Sequence, residues 1–388
     1  MRADGVACVP MGRAPCCTMA SQSASSALRE AQSGAQSGPL KLIMPDISNP
    51  HLPPGHPPIP SRKTGLLLLN LGTPEATDYW SMRRYLREFL WDRRVIEVNR
   101  VLWWLILNGI ILTTRPKRSG HAYEQIWNRE RNESPLKTFT RAQAEKLAAA
   151  LGRAGTLVVD WAMRYGLPPV AERVQALKDQ GCDRIVLFPL YPQYSAATTA
   201  TALDKVYEKL LTMRWQPMIR VVPPYFAHPA YVAAIADSLK AHMDQLGWTP
   251  DRILVAFHGL PREYLDKGDP YHCQCQKTAR LLRERLGMSK NDLQVVFQSR
   301  FGKAEWLKPY AQDTVDELPS QGVKKLLLIS PGFASDCVET LEELAIGLKE
   351  TFLEKGGEQF SVVPCLNDSP RSIQMLQTIA GEELAGWA

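Results

Sequence analysis

The stretch "ILVAFHGLP", Ile253 to Pro261, decides the fold. Ile253 to Phe257 is an unbroken apolar run of strand length, and a Gly-Leu-Pro turn closes it at once. A strand with one wet face alternates apolar and polar residues. A continuous run is buried on both faces, as in parallel sheets covered by helices. His258 stands at the end of this run, where the carboxyl ends of parallel strands open onto a ligand crevice.

Seven further runs of the same kind follow the pattern: "GLLLLNLGTP" from Gly65, "TLVVDWAMRYG" from Thr156, "DRIVLFPLYPQYS" from Asp183, "IRVVPPYF" from Ile219, "LQVVFQSRFG" from Leu293, "KKLLLISPGFAS" from Lys324 and "FSVVPCLND" from Phe360. Segments of helical period separate them, so the fold class is α/β. The eight strands fall into two sets of four. Arg164-Tyr165-Gly166 answers Arg300-Phe301-Gly302 at a separation of 136 residues, Ser195 answers Ser335 at a separation of 140, and "VVPPY" from Val221 answers "VVPCL" from Val362 at a separation of 141. This reads as an internal duplication, giving two similar Rossmann-like domains, each a four-stranded parallel sheet flanked by helices. The first strands, Leu66 and Ile253, are 187 apart, so the first half carries roughly fifty extra residues between its first and second strands. The expected organisation is an N-terminal extension over 1–60, a first domain over 61–225 with an insertion at about 74–135, and a second domain over 226–388.

The first sixty residues are rich in Ser, Ala, Gln, Gly and Pro and end in "NPHLPPGHPPIPS", which predicts a disordered extension. The composition of the 388-residue chain, 45% hydrophobic and 22% charged, is that of a globular protein with a sizeable core. Its net charge of +6 comes from cations interspersed with acids, which suits an anionic small ligand or a membrane surface and disfavours nucleic acid as a partner. The eight cysteines, at 8, 16, 17, 182, 273, 275, 337 and 365, have no disulfide-framework spacing, which implies a reducing compartment. No apolar stretch is long enough to span a bilayer and no secretory signal is visible, so the chain is read as soluble or peripheral.

Within the insertion, "VLWWLILNGIILTTRPKR" from Val101 to Arg118 joins paired tryptophans to a basic flank. Such a segment suits a bilayer interface or a greasy ligand, or else a helix packed inside the domain. His258, Arg164, Tyr165, Tyr191, Tyr194, Ser335 and Asp336 all fall at strand ends. "SDCVETLEEL" sets Glu339, Glu342, Glu343 and Glu350 at spacings of three, four and seven, the spacing of a carboxylate stripe on an α-helix. The loops bearing His258 and Glu339 leave strands one and three of one half, so they can converge. A histidine facing a carboxylate can remove protons, and it can hold a divalent cation. "YHCQCQK", with Cys273 and Cys275, lacks the second pair that a structural metal site needs, and reduced thiols are the plainer reading. "NLGTPE" at 70–75 lacks the glycines and lysine of a nucleotide loop.

Together "KTGLLLLNLGTPE", "SPLKTFTRAQAEKL", "AMRYG", "LFPLYPQYSAATTA", "LVAFHGLP", "KGDPYHCQCQKTARLL", "VVFQSRFGKAEWLKPY" and "SPGFASDCVETLEEL" closely resemble the ferrochelatases, from about Lys63 nearly to the C-terminus. The resemblance implies a type II chelatase fold clasping a porphyrin, with the 101–118 segment as a lip that meets a membrane surface. It implies insertion of Fe(II) into protoporphyrin IX to give protohaem and two protons, on the cytoplasmic face of that membrane. His258 and Glu339 would be the catalytic pair and the residues that meet iron, and Tyr123, Arg164, Tyr165 and Tyr191 would line the cleft, with Arg164 contributing charge or hydrogen bonds. No tightly bound cofactor is implied. The [2Fe–2S] cluster of some members is disfavoured, because Ala196 stands at its first cysteine position and no cysteine follows Cys365. Cys337 stands where many relatives carry histidine. A coproporphyrin ferrochelatase and a non-catalytic tetrapyrrole carrier are the competing readings.

Overall fold

In the computed structural model, residues 62–387 are described except Ala154 and Lys303, together with Pro53 and Gly55. The disorder expected over 1–60 otherwise lies outside the described residues, as do Cys8, Cys16 and Cys17.

All eight apolar runs are strands. β1 (Lys63–Gly72), β2 (Leu157–Tyr165), β3 (Cys182–Pro189) and β4 (Met218–Val221) form a parallel sheet in the order β2-β1-β3-β4. β5 (Arg252–His258), β6 (Leu293–Gln298), β7 (Lys325–Ile329) and β8 (Gln359–Val362) form a second parallel sheet in the order β6-β5-β7-β8. The two orders are the same, as a duplication requires. Leu66 to Leu69 are wholly buried, and alternate residues enter different cores. Leu66 and Leu68 pack with Ala144 and Leu147, while Leu67 and Leu69 pack with Val174, Leu177 and Val206. Each such leucine contributes about 1.5–3 kcal/mol relative to exposure. β5 divides in the same way, and its Ile253, Val255 and Phe257 enter the core that Leu66 and Leu68 occupy, so one core joins both sheets.

The helix after the first strand of each half reaches the loop after the third strand of the other. In helix Pro135–Leu151, capped by Ser134 and stopped at the left-handed Gly152, Gln143 donates to the carbonyls of Ala334 and Asn367 and accepts from the Ser335 hydroxyl. Before and along helix Tyr271–Leu286, Asp269 accepts from the Ser195 hydroxyl and the Ala196 N–H, and Gln274 from the Tyr194 N–H. This exchange fixes both strand-three loops against the opposite half.

The register corrects one correspondence drawn from sequence. Asn70 pairs with Met163 and Phe257 with Phe297, so with first strands 187 residues apart the counterpart of Arg164 is Gln298, not Arg300. The chain then rejoins the repeat. Met163 N–H donates to the carbonyl of Pro168, five residues on, and Phe297 N–H to that of Pro309, twelve residues on. A longer loop in the second half had shifted the Arg-x-Gly match.

The insertion forms helices Tyr79–Trp91, Arg100–Ile106 and Leu112–Ile126, with a π-helical turn at Leu107–Ile111 between the last two. Asp78 and Asn99 cap the first two through side-chain oxygens. The paired tryptophans part company. Trp103 is buried with Met82, Leu86, Leu90, Leu107 and Leu112, and its indole N–H donates to the Leu90 carbonyl at 2.7 Å. Trp104 is 52% exposed, alongside Val101 at 74%, Leu102 and Leu105 at 56% and Ile110 at 62%. One face of the segment is therefore core and the other is an apolar surface. No helix among the described residues is long and apolar enough to cross a membrane.

Candidate active site

His258 is the last residue of β5. Its Nδ1–H donates to the Gly259 carbonyl at 2.6 Å, and since a carbonyl only accepts, the neutral ring carries its lone pair on Nε2. The turn behind it is tight. A Cβ on Gly259 would lie 2.7 Å from the Gln298 carbonyl and 3.0 Å from the Trp306 ring, so glycine allows both to close on the strand end.

In "SDCVET", most of the motif is scaffold. Asp336 accepts from the Thr340 hydroxyl at 2.9 Å and from Asn367 Nδ2 at 2.6 Å, and its N–H donates to Asn367 Oδ1 at 2.8 Å. Ser335, Asp336 and Thr340 are buried, and Glu339 is half-buried. Glu339 opens a π-helix, Glu339–Leu348, the wider i→i+5 winding that recurs at functional sites. This overturns the α-helical stripe read from the sequence. Glu350 is exposed, whereas Glu343 comes close enough to His258 and Glu339 to feel both charges. Burial pushes the Glu343 carboxyl up; hydrogen bonds from Ser299 and the His258 charge oppose the shift, and the Glu339 charge adds to it.

The tip of β6 holds the Glu339 backbone and the Glu343 carboxylate. Gln298 Nε2 donates to the Glu339 carbonyl at 3.2 Å, and Ser299 donates its N–H to Glu343 Oε1 at 2.7 Å and its hydroxyl to Oε2 at 2.5 Å.

The insertion supplies the facing wall, with helix Leu112–Ile126 lying against the π-helix. Tyr123 is buried there, edge-on to Tyr85 at 6.4 Å, and burial followed by the Glu339 charge lifts its hydroxyl far above its ordinary value. Burial and Glu339 likewise raise the Cys337 thiol. Arg115, from the same helix, lies over the Phe301 ring at 5.0 Å and within reach of the Glu339 and Tyr85 charges, while burial lowers its pKa.

Arg164 and Tyr165, which the resemblance puts along the cleft, share one carboxylate partner, Asp92. Arg164 is 7% exposed; its guanidinium forms an ion pair with Asp92, and its Nε donates to the Thr201 hydroxyl at 2.6 Å. Tyr165 donates its hydroxyl to Asp92 at 2.8 Å. Asp92 caps helix Tyr79–Trp91, so the cluster ties the lip to β2, and the Arg164 charge is met inside the protein. Tyr191 has a buried hydroxyl with no hydrogen-bond partner among the described residues.

The five cysteines among the described residues form no disulfide; Cys273 is exposed and Cys275 buried. No group of three or more His, Cys, Asp or Glu among the described residues is gathered to hold a metal ion.

Residues 63–384 match the family described as Ferrochelatase. The Ferrochelatase of Agrobacterium fabrum is 56% identical over 87% of this chain and 98% of that protein, and that of Rhizobium meliloti 57% over 86% and 98%. The chain belongs to the ferrochelatase family. It is thus a metal-chelating lyase of haem biosynthesis, with iron as a substrate and a porphyrin as its acceptor. A looser likeness, at TM-score 0.48 and 13% identity, is to SirB from Bacillus subtilis with Fe3+, over 83% of this chain and 96% of that one.

Sequence reasoning named His258 and Glu339, both of which lie near Glu343, and Tyr123, which lies near Glu339. It missed Gln298, Ser299, Asp92 and Arg115 as participants. Ser299 and Gln298 lay within the quoted "VVFQSRFG", but nothing in their spacing signals a contact more than forty residues away.

Proposed function

We propose that this ferrochelatase inserts Fe(II) into protoporphyrin IX, with His258 as the base and Glu339 as the carboxylate that meets the metal. The observation that carries the reading is His258 at a strand end with Nδ1 committed to the Gly259 carbonyl, which leaves Nε2 to act as base, together with Glu343, which lies near enough to both His258 and Glu339 to feel their charges. Two pyrrole N–H bonds break and two Fe–N bonds form beyond the coordinate pair, so two protons must leave. Nε2 takes one proton, and the Nδ1–H bond to the Gly259 carbonyl strengthens as the ring becomes cationic. The Glu339 carboxylate offsets the ferrous charge, and Glu343 offers a second acceptor behind it.

The exposed Val101, Leu102, Trp104, Leu105 and Ile110 support protoporphyrin, which partitions into bilayers, over a tetracarboxylate. They also support peripheral attachment of the lip to a membrane surface. Residues 79–118 hold nine Lys and Arg against three acids, a surplus equal to the +6 of the whole chain. That surplus favours anionic headgroups, and it equally favours coproporphyrin as the second reading.

Anaerobic Fe(II) insertion, with protoporphyrin IX and coproporphyrin III offered in parallel, tests this. Protoporphyrin should turn over faster, and His258→Ala should lose about 10²-fold or more of that rate. Preference for coproporphyrin would overturn the substrate, and binding without insertion would leave a carrier.

A further inference from the structure

We propose that Ser299 is a positioning residue, whose left-handed backbone and hydroxyl hold the Glu343 carboxylate in one orientation beside Glu339 and His258. This rests on the reading of those residues as the reacting site. Ser299 has φ 64, a region where most residues other than glycine are uncommon and asparagine is enriched. That conformation turns both of its donors onto Glu343. The N–H reaches Oε1 at 2.7 Å and the hydroxyl reaches Oε2 at 2.5 Å, so the two oxygens are held separately and the carboxylate plane is fixed. The preceding Gln298 donates to the Glu339 carbonyl at 3.2 Å, so two successive residues at the tip of β6 hold the opening of the π-helix and its second acid.

The duplication shows that this position is used to hold a carboxylate in both halves. By register, the counterparts of Gln298 and Ser299 are Arg164 and Tyr165, and these bind Asp92 with a guanidinium and a hydroxyl. In the first half the carboxylate so held anchors the lip. In the second it stands in the crevice.

A scaffold role and a positioning role part at Ser299→Gly. Glycine adopts φ 64 freely and keeps the N–H donor, so relief of the left-handed backbone offsets the lost hydroxyl bond and the melting temperature should change little. Only the hydroxyl bond to Oε2 is lost. We expect kcat to fall about tenfold, as for loss of one hydrogen bond to a charged group, with KM for the porphyrin unchanged. Ser299→Asn, which tolerates the same backbone and carries an amide donor, should recover most of that rate. Parental kcat in the glycine variant would overturn the proposal, as would equal losses in the two variants. Co2+ titration followed by visible absorbance, without porphyrin, separates this proposal from the reading on which it rests. Turnover by the unsubstituted chain tests that reading alone. The order of Co2+ affinity, parent near Ser299→Asn and both above Ser299→Gly, tests the Glu343 hold, and equal affinities in all three would sink it.

Discussion

At the scale of single residues, the crevice separates holding from reacting. In "SDCVET", Ser335, Asp336 and Thr340 are buried and saturated with hydrogen bonds, which leaves Glu339 as the one acid turned toward the lip. Its charge is felt by Tyr85, Tyr123, Cys337 and Arg115. Glu339→Gln keeps the shape and removes that charge. Porphyrin binding should persist, and turnover should fall about 10²-fold or more if the carboxylate meets the cation or the protons. Fluorescence quenching reads the first quantity and single-turnover insertion the second. Normal turnover in this variant would remove Glu339 from the chemistry. His258 and Glu339 were legible because each stands where a strand ends or a helix begins, which the local pattern reveals. Ser299 was not, because its role depends on a φ of 64 and on a partner that folding brings to it.

At the scale of elements, the strands were readable and the winding of the helices was not. Buried parallel strands declare themselves as runs such as Leu66–Leu69, since both faces must be apolar. A π-helix carries no comparable mark, because i→i+5 and i→i+4 bonding differ in geometry and not in composition. The α-helical spacing of Glu339, Glu342, Glu343 and Glu350 therefore misled. The Asp92 cluster was invisible for another reason, that Asp92 and Arg164 are 72 residues apart in the chain. Asp92→Asn removes the buried counter-ion of Arg164 and leaves it only the more distant, exposed Glu88 at 3.9 Å, so it should cost about 3 kcal/mol of stability. The pH dependence has a definite sign. Burial pushes the Asp92 carboxyl up, but bonds from the Thr201 hydroxyl and the Arg94 N–H, with the Arg164 charge, outweigh it and hold the carboxyl below its ordinary value. Stability from this group is thus full above the unfolded aspartate value of about 3.9 and is lost as pH falls through the lower folded value. Thermal melts of parent and variant should differ most near neutrality and converge in acid. A gap that is flat with pH would mean that the charge on Asp92 does not hold the lip.

At the scale of the whole molecule, two sheets of identical order exchange their strand-three loops, and the duplication is broken by the insertion in one half and the His258, Glu339 and Glu343 group in the other. The break puts an apolar, cationic surface next to the crevice, and a physical test of its purpose is its response to charge. A lip that docks by its apolar face alone would bind zwitterionic and anionic vesicles alike. One that also uses its surplus of cations should prefer anionic phospholipid, with each Lys or Arg near the surface contributing about 1 kcal/mol, and should let go as salt shortens the screening length. Lys117 and Arg118 are exposed and stand one helical turn beyond the apolar run, so they are the cations to change. Replacing both, Lys117→Gln with Arg118→Gln, removes two such contributions and should weaken binding to anionic vesicles roughly 30-fold in a flotation assay. Insertion into detergent-solubilised porphyrin should fall far less than vesicle binding in the same variant, because both side chains are exposed. Undiminished binding would leave attachment to Val101, Leu102, Trp104, Leu105 and Ile110 alone, and Trp104→Ser would then be the substitution that releases the lip.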